Sequence, residues 1–188
     1  GYLCEEAELG SLFEFAVSHK LFGNYSCFLR ELFRVAEAIQ FLHKHGIIHK
    51  DLHSGNILLF PDGNEVRMKL IDFEGSAIVE YVLENESLLE QVKNNYFENI
   101  LELNLPKEYD EMIVFREDWM QYSGLLINTI STLKMDKKKR FKEIKKLIDL
   151  LKGDNYWNLE NVLQTIREHF DKEIENCSIE EPFHYELK

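Results

Sequence analysis

Between residues 25 and 71 the chain passes through three patterns in a fixed order, and few folds accommodate that order. Over 25–45 the apolar residues Phe28, Leu32, Val35, Ala36, Ile39 and Leu42 recur at steps of three and four. That period predicts an amphipathic α-helix of about six turns, and Gly46 ends it. A polar loop follows. Two β-prone runs, 57–60 and 66–71, are then joined by Pro61-Asp62-Gly63-Asn64, a hairpin signal. In the second run Val66, Met68 and Leu70 alternate with Arg67 and Lys69, as a strand with one wet face requires.

The flanking sequence is mainly helical. Residues 2–6 read as the end of a strand, Gly10-Ser11 opens a helical stretch to about residue 20, and Gly23-Asn24 breaks it. After Asp72, Leu89, Val92, Tyr96, Ile100 and Leu103 form one stripe before Pro106. A further helix begins near Asp118 and carries Trp119, Tyr122, Leu126 and Ile130, with others expected at 137–151 and 158–172. The tail from residue 171 is acidic and weakly patterned, so it is expected to be mobile or a docking segment. Phe13, Phe15, Phe28, Phe33 and Phe41 sit mainly at helical spacing and are expected in the core, with Met68 and Met120 as filler. The expected class is mainly α, α+β overall, one domain with a small hairpin at its edge.

Charge narrows the function. With 34 Asp+Glu against 22 Lys+Arg the formal net charge is −12, which disfavours general binding to phosphate backbones. A local exception is 134–146, where eight of thirteen residues are Lys or Arg; a solvated helix face is the simple reading and an acidic docking partner the alternative. The apolar runs are too short to span a membrane, and no cationic start followed by an apolar stretch opens the chain. Cys4, Cys27 and Cys177 are too few and scattered for a disulfide framework or zinc site, which fits a reducing cytoplasmic setting. His43, His45, His49 and His53 invite a metal reading, but Gly46 interrupts the helix their spacing would need.

The polar loop holds the chemistry. It reads Ile47-Ile48-His49-Lys50-Asp51-Leu52-His53-Ser54-Gly55-Asn56, and Asp72-Phe73-Glu74-Gly75 follows the second β-run. Phosphoryl transfer asks a protein for a carboxylate to orient the acceptor hydroxyl and for oxygen ligands to magnesium on the phosphates. An Asp and an Asn five residues apart on one loop supply the carboxylate and one ligand. A second Asp after the returning strand faces them, and such a ligand set suits magnesium.

On these residues the chain resembles the protein kinases. His49-Lys50-Asp51 with Asn56 is similar to their catalytic loop, over 47–59, and Asp72-Phe73-Glu74 to the metal-binding triplet that follows it. Leu3-Cys4-Glu5-Glu6-Ala7 with Gly10-Ser11-Leu12 resembles the inter-lobe hinge, taken as 3–9, and the start of the next helix. Ala38-Ile39-Gln40-Phe41-Leu42-His43 resembles the end of the helix before the catalytic loop. Asp118-Trp119-Met120-Gln121-Tyr122-Ser123-Gly124 resembles the start of the buried anchor helix, taken as 118–133. The likeness covers 1–170 as a kinase C-terminal lobe, with an activation-segment-like insert at 75–117 and an acidic tail at 171–188.

The resemblance implies a role for each matching position. Asp51 would be the catalytic carboxylate, with Lys50 and His49 beside it in the catalytic triplet. Asn56 and Asp72 would bind magnesium. His49 and Phe73 would stack in the core that positions the loop, and Asp118 would hold the loop's backbone from below. Leu58 would floor the adenine pocket, the backbone of Glu5 and Ala7 would bind the adenine edge, and Cys4 would stand at the pocket's rear. ATP and Mg2+ are the implied cofactors. Ser76, Tyr81 and Ser87 lie where an activation loop is phosphorylated.

Five departures accompany the likeness. It begins at the hinge, so the Gly-rich loop, strand lysine and helix glutamate of an N-terminal lobe are expected from sequence upstream. Gly1 rather than Met agrees with a piece of a longer protein. Lys50 stands for the usual Arg and lacks its fork. Glu74 stands where Gly is expected. His53, where Lys is usual, and Gly55 give Asp51-Leu52-His53-Ser54-Gly55-Asn56, a variant partly similar to aminoglycoside and choline kinases. No Ala-Pro-Glu is present, Leu105-Pro106-Lys107-Glu108 being nearest. The leading expectation is the C-terminal lobe of a Ser/Thr protein kinase with a protein substrate, the isolated lobe being inactive. The alternatives are a non-catalytic lobe mimic that binds or inhibits a partner, and a small-molecule kinase.

Overall fold

The computed structural model describes residues 9–22, 26–62, 65–96 and 110–133, together with 164, 167–168, 171 and 184–187. The long periodic stretch folds as expected, as α2 (Ser26–Lys44), preceded by α1 (Leu12–Ser18) and β1 (His19–Phe22). β2 (Ile47–Ile48) and a one-turn 3-10 helix (Ser54–Asn56) lead into the hairpin of β3 (Ile57–Asp62) and β4 (Glu65–Leu70). β5 (Ala77–Ile78), α3 (Val79–Glu84), α4 (Glu86–Tyr96), α5 (Asp110–Leu133) and β6 (His184–Leu187) complete the described elements. The architecture is mostly helical with small antiparallel sheets: β1 with β6, β2 with β5, β3 with β4. No described helix is long and apolar enough to cross a membrane.

Local chemistry starts α1. Ser11 Oγ accepts from Glu14 N at 3.2 Å while Glu14 Oε2 accepts from Ser11 N at 2.8 Å, a reciprocal capping box. These bonds hold the Glu14 carboxyl below the usual carboxylate range. Within α2, Glu31 is buried, and its Oε2 accepts from Met68 N at 2.9 Å, joining the helix to β4. Arg34 pairs with its other oxygen.

Among the described residues two apolar clusters fill the interior, and α5 passes through both. The larger joins Leu12 and Phe15 of α1, Phe28, Leu32 and Ile39 of α2, Leu59 and Val66 of the hairpin, and Trp119, Tyr122 and Leu126 of α5. The smaller joins Ile48, Val79, Val82, Leu89 and Val92 to Ile113, Val114 and Phe115 one to two turns earlier on α5. A helix apolar on most sides belongs in the middle of its domain, and the burial of α5 follows from that composition.

Several boundaries differ from the sequence reading. The anchor helix begins at Asp110, not near Asp118, so the expected insert at 75–117 ends inside it. Asp110 and Glu111 give α5 an acidic first turn, which the helix dipole favours. α1 stops at Ser18 rather than running to residue 20, because His19–Phe22 pairs with β6. Within the tail, the described residues His184–Leu187 form the strand that pairs with β1. Strand β3 takes up Pro61 and Asp62, expected in the turn, and leaves only 63–64 between the strands. Phe13 and Phe41 are 59% and 62% exposed, so the expectation of core placement fails for both, whereas Phe15, Phe28 and Phe33 are buried. The expected helix at 158–172 is described only at Gln164, Arg167, Glu168 and Asp171, all helical. The expected hinge with Cys4, Glu5 and Ala7, the turn residues Gly63 and Asn64, residues 105–108 and the expected helix at 137–151 lie outside the described residues.

Tyr122 ties α5 to α2. Its ring is wholly buried and its hydroxyl donates to Leu32 O at 2.8 Å, and burial pushes the phenol's ionisation up. Tyr122→Phe is expected to cost about 1 kcal/mol, the worth of one internal hydrogen bond. Tyr122→Ala is expected to cost about 3–5 kcal/mol through the cavity it leaves. Equilibrium urea unfolding of both variants checks the difference; equal losses would mean that the hydroxyl contributes most of the residue's effect.

Candidate functional site

Between β2 and the 3-10 turn, residues 49–53 lie outside helix and sheet, and side chains of α5 take up backbone groups there. Asp118 Oδ2 accepts from His49 N at 2.9 Å, and Oδ1 from Lys50 N at 2.8 Å. One turn on, Gln121 Oε1 accepts from Leu52 N at 2.8 Å while its Nε2 donates to Lys50 O at 2.6 Å. Positions three apart share a helix face, and here that face presents two acceptor groups and one donor group to a single loop. His43, at the end of α2, adds a third contact to the Asp118 carboxylate, Nε2 to Oδ2 at 2.9 Å. Asp118 is wholly buried, and a buried carboxylate is tolerable when several donors surround it.

The hairpin brings the second motif to the first. Its register pairs Ile57 with Leu70. Just beyond, Ile71 N donates to Asn56 O at 3.0 Å, so Asp72 emerges beside the loop. His49, itself wholly buried, reaches the same strand end, its Nε2 3.0 Å from Ile71 O. On the far side β5 pairs with β2, returning the chain to the loop's own start. A Cβ built on Gly75 would lie 3.8 Å from Asp51 Cβ, which measures how closely the two motifs approach.

Two residues in the described chain other than glycine have positive φ, Lys50 at 67° and Asp72 at 63°. The left-handed region costs an L-residue about 1–2 kcal/mol, and such strain persists only where neighbours over-determine the backbone. Lys50 has that support from Asp118 and Gln121, both of whose side chains hold its peptide groups. Asp72 follows Ile71, whose N–H and C=O are both engaged. One strained residue therefore stands in each motif.

Each expected site residue can now be located. Asp51 is exposed, and its Oδ2 and backbone O both accept from Asn56 Nδ2 at 3.0 Å. Asn56 is buried, and commitment of its amide nitrogen to Asp51 leaves Oδ1 as the atom able to act as a ligand. Asp72 is exposed, with Oδ1 near Glu74 N at 3.4 Å. Phe73 contacts the His49 ring at a centroid distance of 4.9 Å, but it is 45% exposed, so the expected stacking inside the core holds for His49 alone. Glu74 has no positive φ, so its Cβ is accommodated without strain where the resemblance expects glycine. Leu58 is half-buried beside α1, bridging to Ser11. Glu5 and Ala7, expected at the adenine edge, are outside the described residues.

The sequence reading assigned no role to His43, Gln121 or Glu31. A signal existed for the first, four residues after Ile39 on the apolar stripe, where a polar ring needs a partner. Among the described residues no group of three or more His, Cys, Asp and Glu gathers as a metal site, and each of the four clustered histidines has its own contact: His43 with Asp118, His45 with Phe41 O, His49 with Ile71 O and His53 with Gly55 N.

The pattern that defines the protein kinase domain matches residues 2–103, more than half of this chain. The serine/threonine-protein kinase PKH3 of Saccharomyces cerevisiae is 39% identical over 54 residues, 29% of this chain and 6% of that protein. The probable serine/threonine-protein kinase KKQ8 of Candida glabrata is 33% identical over 90 residues, 47% of this chain and 11% of that protein. Serine/threonine-protein kinase 10 of Danio rerio is 52% identical over 44 residues, 23% of this chain and 4% of that protein. The chain thus spans between 4% and 11% of the length of these curated relatives. The matched stretch contains both motifs and the hairpin between them, and on that ground the chain belongs to the protein kinase domain family.

Proposed function

We propose that this chain is the C-terminal lobe of an ATP-dependent protein kinase that transfers the γ-phosphoryl group to a serine or threonine hydroxyl of a protein. The observation that carries this reading is the shared frame of Asp51, Asn56 and Asp72, with Asn56 Nδ2 on Asp51 Oδ2 at 3.0 Å and Asp72 one residue beyond the strand end bonded to Asn56. The names of the relatives support the serine/threonine class.

In this reading Asp51 is the exposed carboxylate that receives the acceptor's hydroxyl hydrogen bond, and its oxygen orients the attacking lone pair toward the γ-phosphorus. The hydroxyl proton leaves toward Asp51 as the bond to phosphorus forms and ADP departs. Asn56 Oδ1 and the Asp72 carboxylate are hard oxygen donors of the kind magnesium takes. A magnesium ion held by these two residues would supply neutralisation of the phosphates' charge. Asp118 and Gln121 keep the loop from shifting, and a displacement of about 1 Å at such a site costs on the order of a hundredfold in rate. The Gly-rich cover and strand lysine that complete the phosphate site are proposed to come from upstream sequence.

A small-molecule kinase is the second reading, favoured by His53 and Glu74, and a panel of protein and aminoglycoside or choline acceptors separates the two. A lobe mimic without catalysis is disfavoured, because an inert lobe has no chemical need of Asp51, Asn56 and Asp72 together.

In the full-length protein, Asp51→Asn and Asp72→Asn are each expected to lower transfer from Mg-ATP by at least about a hundredfold, and EDTA to abolish it. Near-normal turnover in either variant would sink the assignment. Asp118→Ala leaves the loop's N–H groups at His49 and Lys50 without their acceptor, and is expected to destabilise the fold by about 3–5 kcal/mol. Urea unfolding reads that loss; unchanged stability would mean that the loop finds other partners.

A further inference from the structure

His53 and Gly55 both depart from the family's usual loop, and the structure makes them one feature. His53 Nδ1 accepts a hydrogen bond from Gly55 N at 3.0 Å, capping the 3-10 turn. The ring lies so close over the glycine that a Cβ at residue 55 would stand 2.8 Å from its Cε1 and 2.9 Å from Nδ1. Real Cβ atoms essentially never come within 3.0 Å of a neighbour, so this ring placement requires glycine there.

The bond also decides where the imidazole carries its proton. A neutral ring has one N–H and one acceptor nitrogen. Because Nδ1 accepts from a backbone N–H, the proton sits on Nε2. Nε2 is 3.6 Å from Asp51 Oδ2, the same oxygen that accepts from Asn56 Nδ2 at 3.0 Å. That separation is longer than a finished hydrogen bond, and contacts of this kind tighten when the reacting groups are in place. Both side chains remain open to solvent, at 53% and 56% exposure. Among the described residues Asp51 Oδ1 has no hydrogen-bond partner.

We propose that His53 is a positioning residue for Asp51: its Nε2–H, fixed in that tautomer by Gly55 N–H, holds Oδ2 together with Asn56 and leaves Oδ1 for the acceptor hydroxyl. This rests on the reading of Asp51 as the catalytic carboxylate. A lysine at the same place brings a mobile full charge and cannot cap the turn. The imidazole brings one N–H of fixed direction, and it needs the glycine two residues on.

The competing role is that of a simple turn cap, and His53→Ser separates the two, since serine caps well but has no N–H that reaches Asp51. In the full-length protein, assayed with Mg-ATP and myelin basic protein, His53→Ser is expected to lower kcat by roughly tenfold to a hundredfold with KM for ATP unchanged. Gly55→Ala is expected to lower kcat comparably in the presence of His53, and to add nothing in the His53→Ser background. Wild-type kcat in His53→Ser beside a dead Asp51→Asn overturns this inference alone, as do additive losses in the double variant. Wild-type turnover in Asp51→Asn, or no transfer by the wild-type protein, overturns the underlying assignment and this inference with it. Imidazole nitrogen NMR supplies a readout independent of turnover: the His53 resonances, identified by their loss in His53→Ser, are expected to be those of the Nε2–H form, and an Nδ1–H form overturns the proposal.

Discussion

A buried carboxylate on the central helix holds the working loop in place. Asp118 is wholly buried and receives the amides of His49 and Lys50 and the ring of His43, so three donors from a loop and a second helix converge on one group. Burying a charge is costly in isolation and becomes favourable only when its hydrogen-bonding capacity is filled from several sides. The consequence is positional. The loop between α2 and the hairpin is held where it fills Asp118, and Gln121, on the same face of α5, repeats the constraint two residues further along. Because α5 is itself shared between both apolar clusters, the reference point for the loop is the most deeply anchored element described.

The hairpin solves a different problem, that of bringing Asp72 back to a loop sixteen to twenty-one residues earlier in the chain. An antiparallel register leaves no freedom once one face is buried, since a slip of one residue would turn Leu59, Val66 and Met68 toward solvent. Glu31 reinforces that register by bonding Met68 N from α2. The end of the ladder then delivers Ile71 opposite Asn56, and the left-handed backbone at Asp72 follows at once. Strain at Lys50 and at Asp72, with dense hydrogen bonding beside both, is what a site needs if its side chains are to be aimed before any ligand arrives.

Patterns that report burial along one element were legible in the sequence. α2 was visible in the spacing from Phe28 to Leu42, and the hairpin in the alternation from Val66 to Leu70, because a single face of each meets the core. The start of α5 was not legible. Its first two turns, Asp110 to Glu117, mix Ile113, Val114 and Phe115 with buried Arg116 and Glu117, and a helix buried on most sides has no clean stripe to read. Phe13 and Phe41 misled for the opposite reason: helical spacing names a face, but not whether another element covers it. The strand at His184–Leu187 depends on pairing with β1, far away in sequence, and nothing within the tail announces it. As for the candidate site, the motif residues could be named from their spacing, whereas the support from His43 and Gln121 depended on which faces of α2 and α5 meet the loop.

Departures from a family pattern are usually counted one at a time, as losses. Here two of them explain each other. Histidine at 53 places a planar ring over the backbone two residues on, and with the ring in that place a Cβ at 55 would stand within 3.0 Å of it. The N–H of residue 55 donates to Nδ1, and Nε2 is the ring nitrogen that faces Asp51. Glu74 is a third departure and needs no compensation, because the backbone there lies outside the left-handed region that favours glycine. The changes in the loop are thus mutually consistent at the level of contacts, which is the behaviour expected when local choices agree with the fold around them.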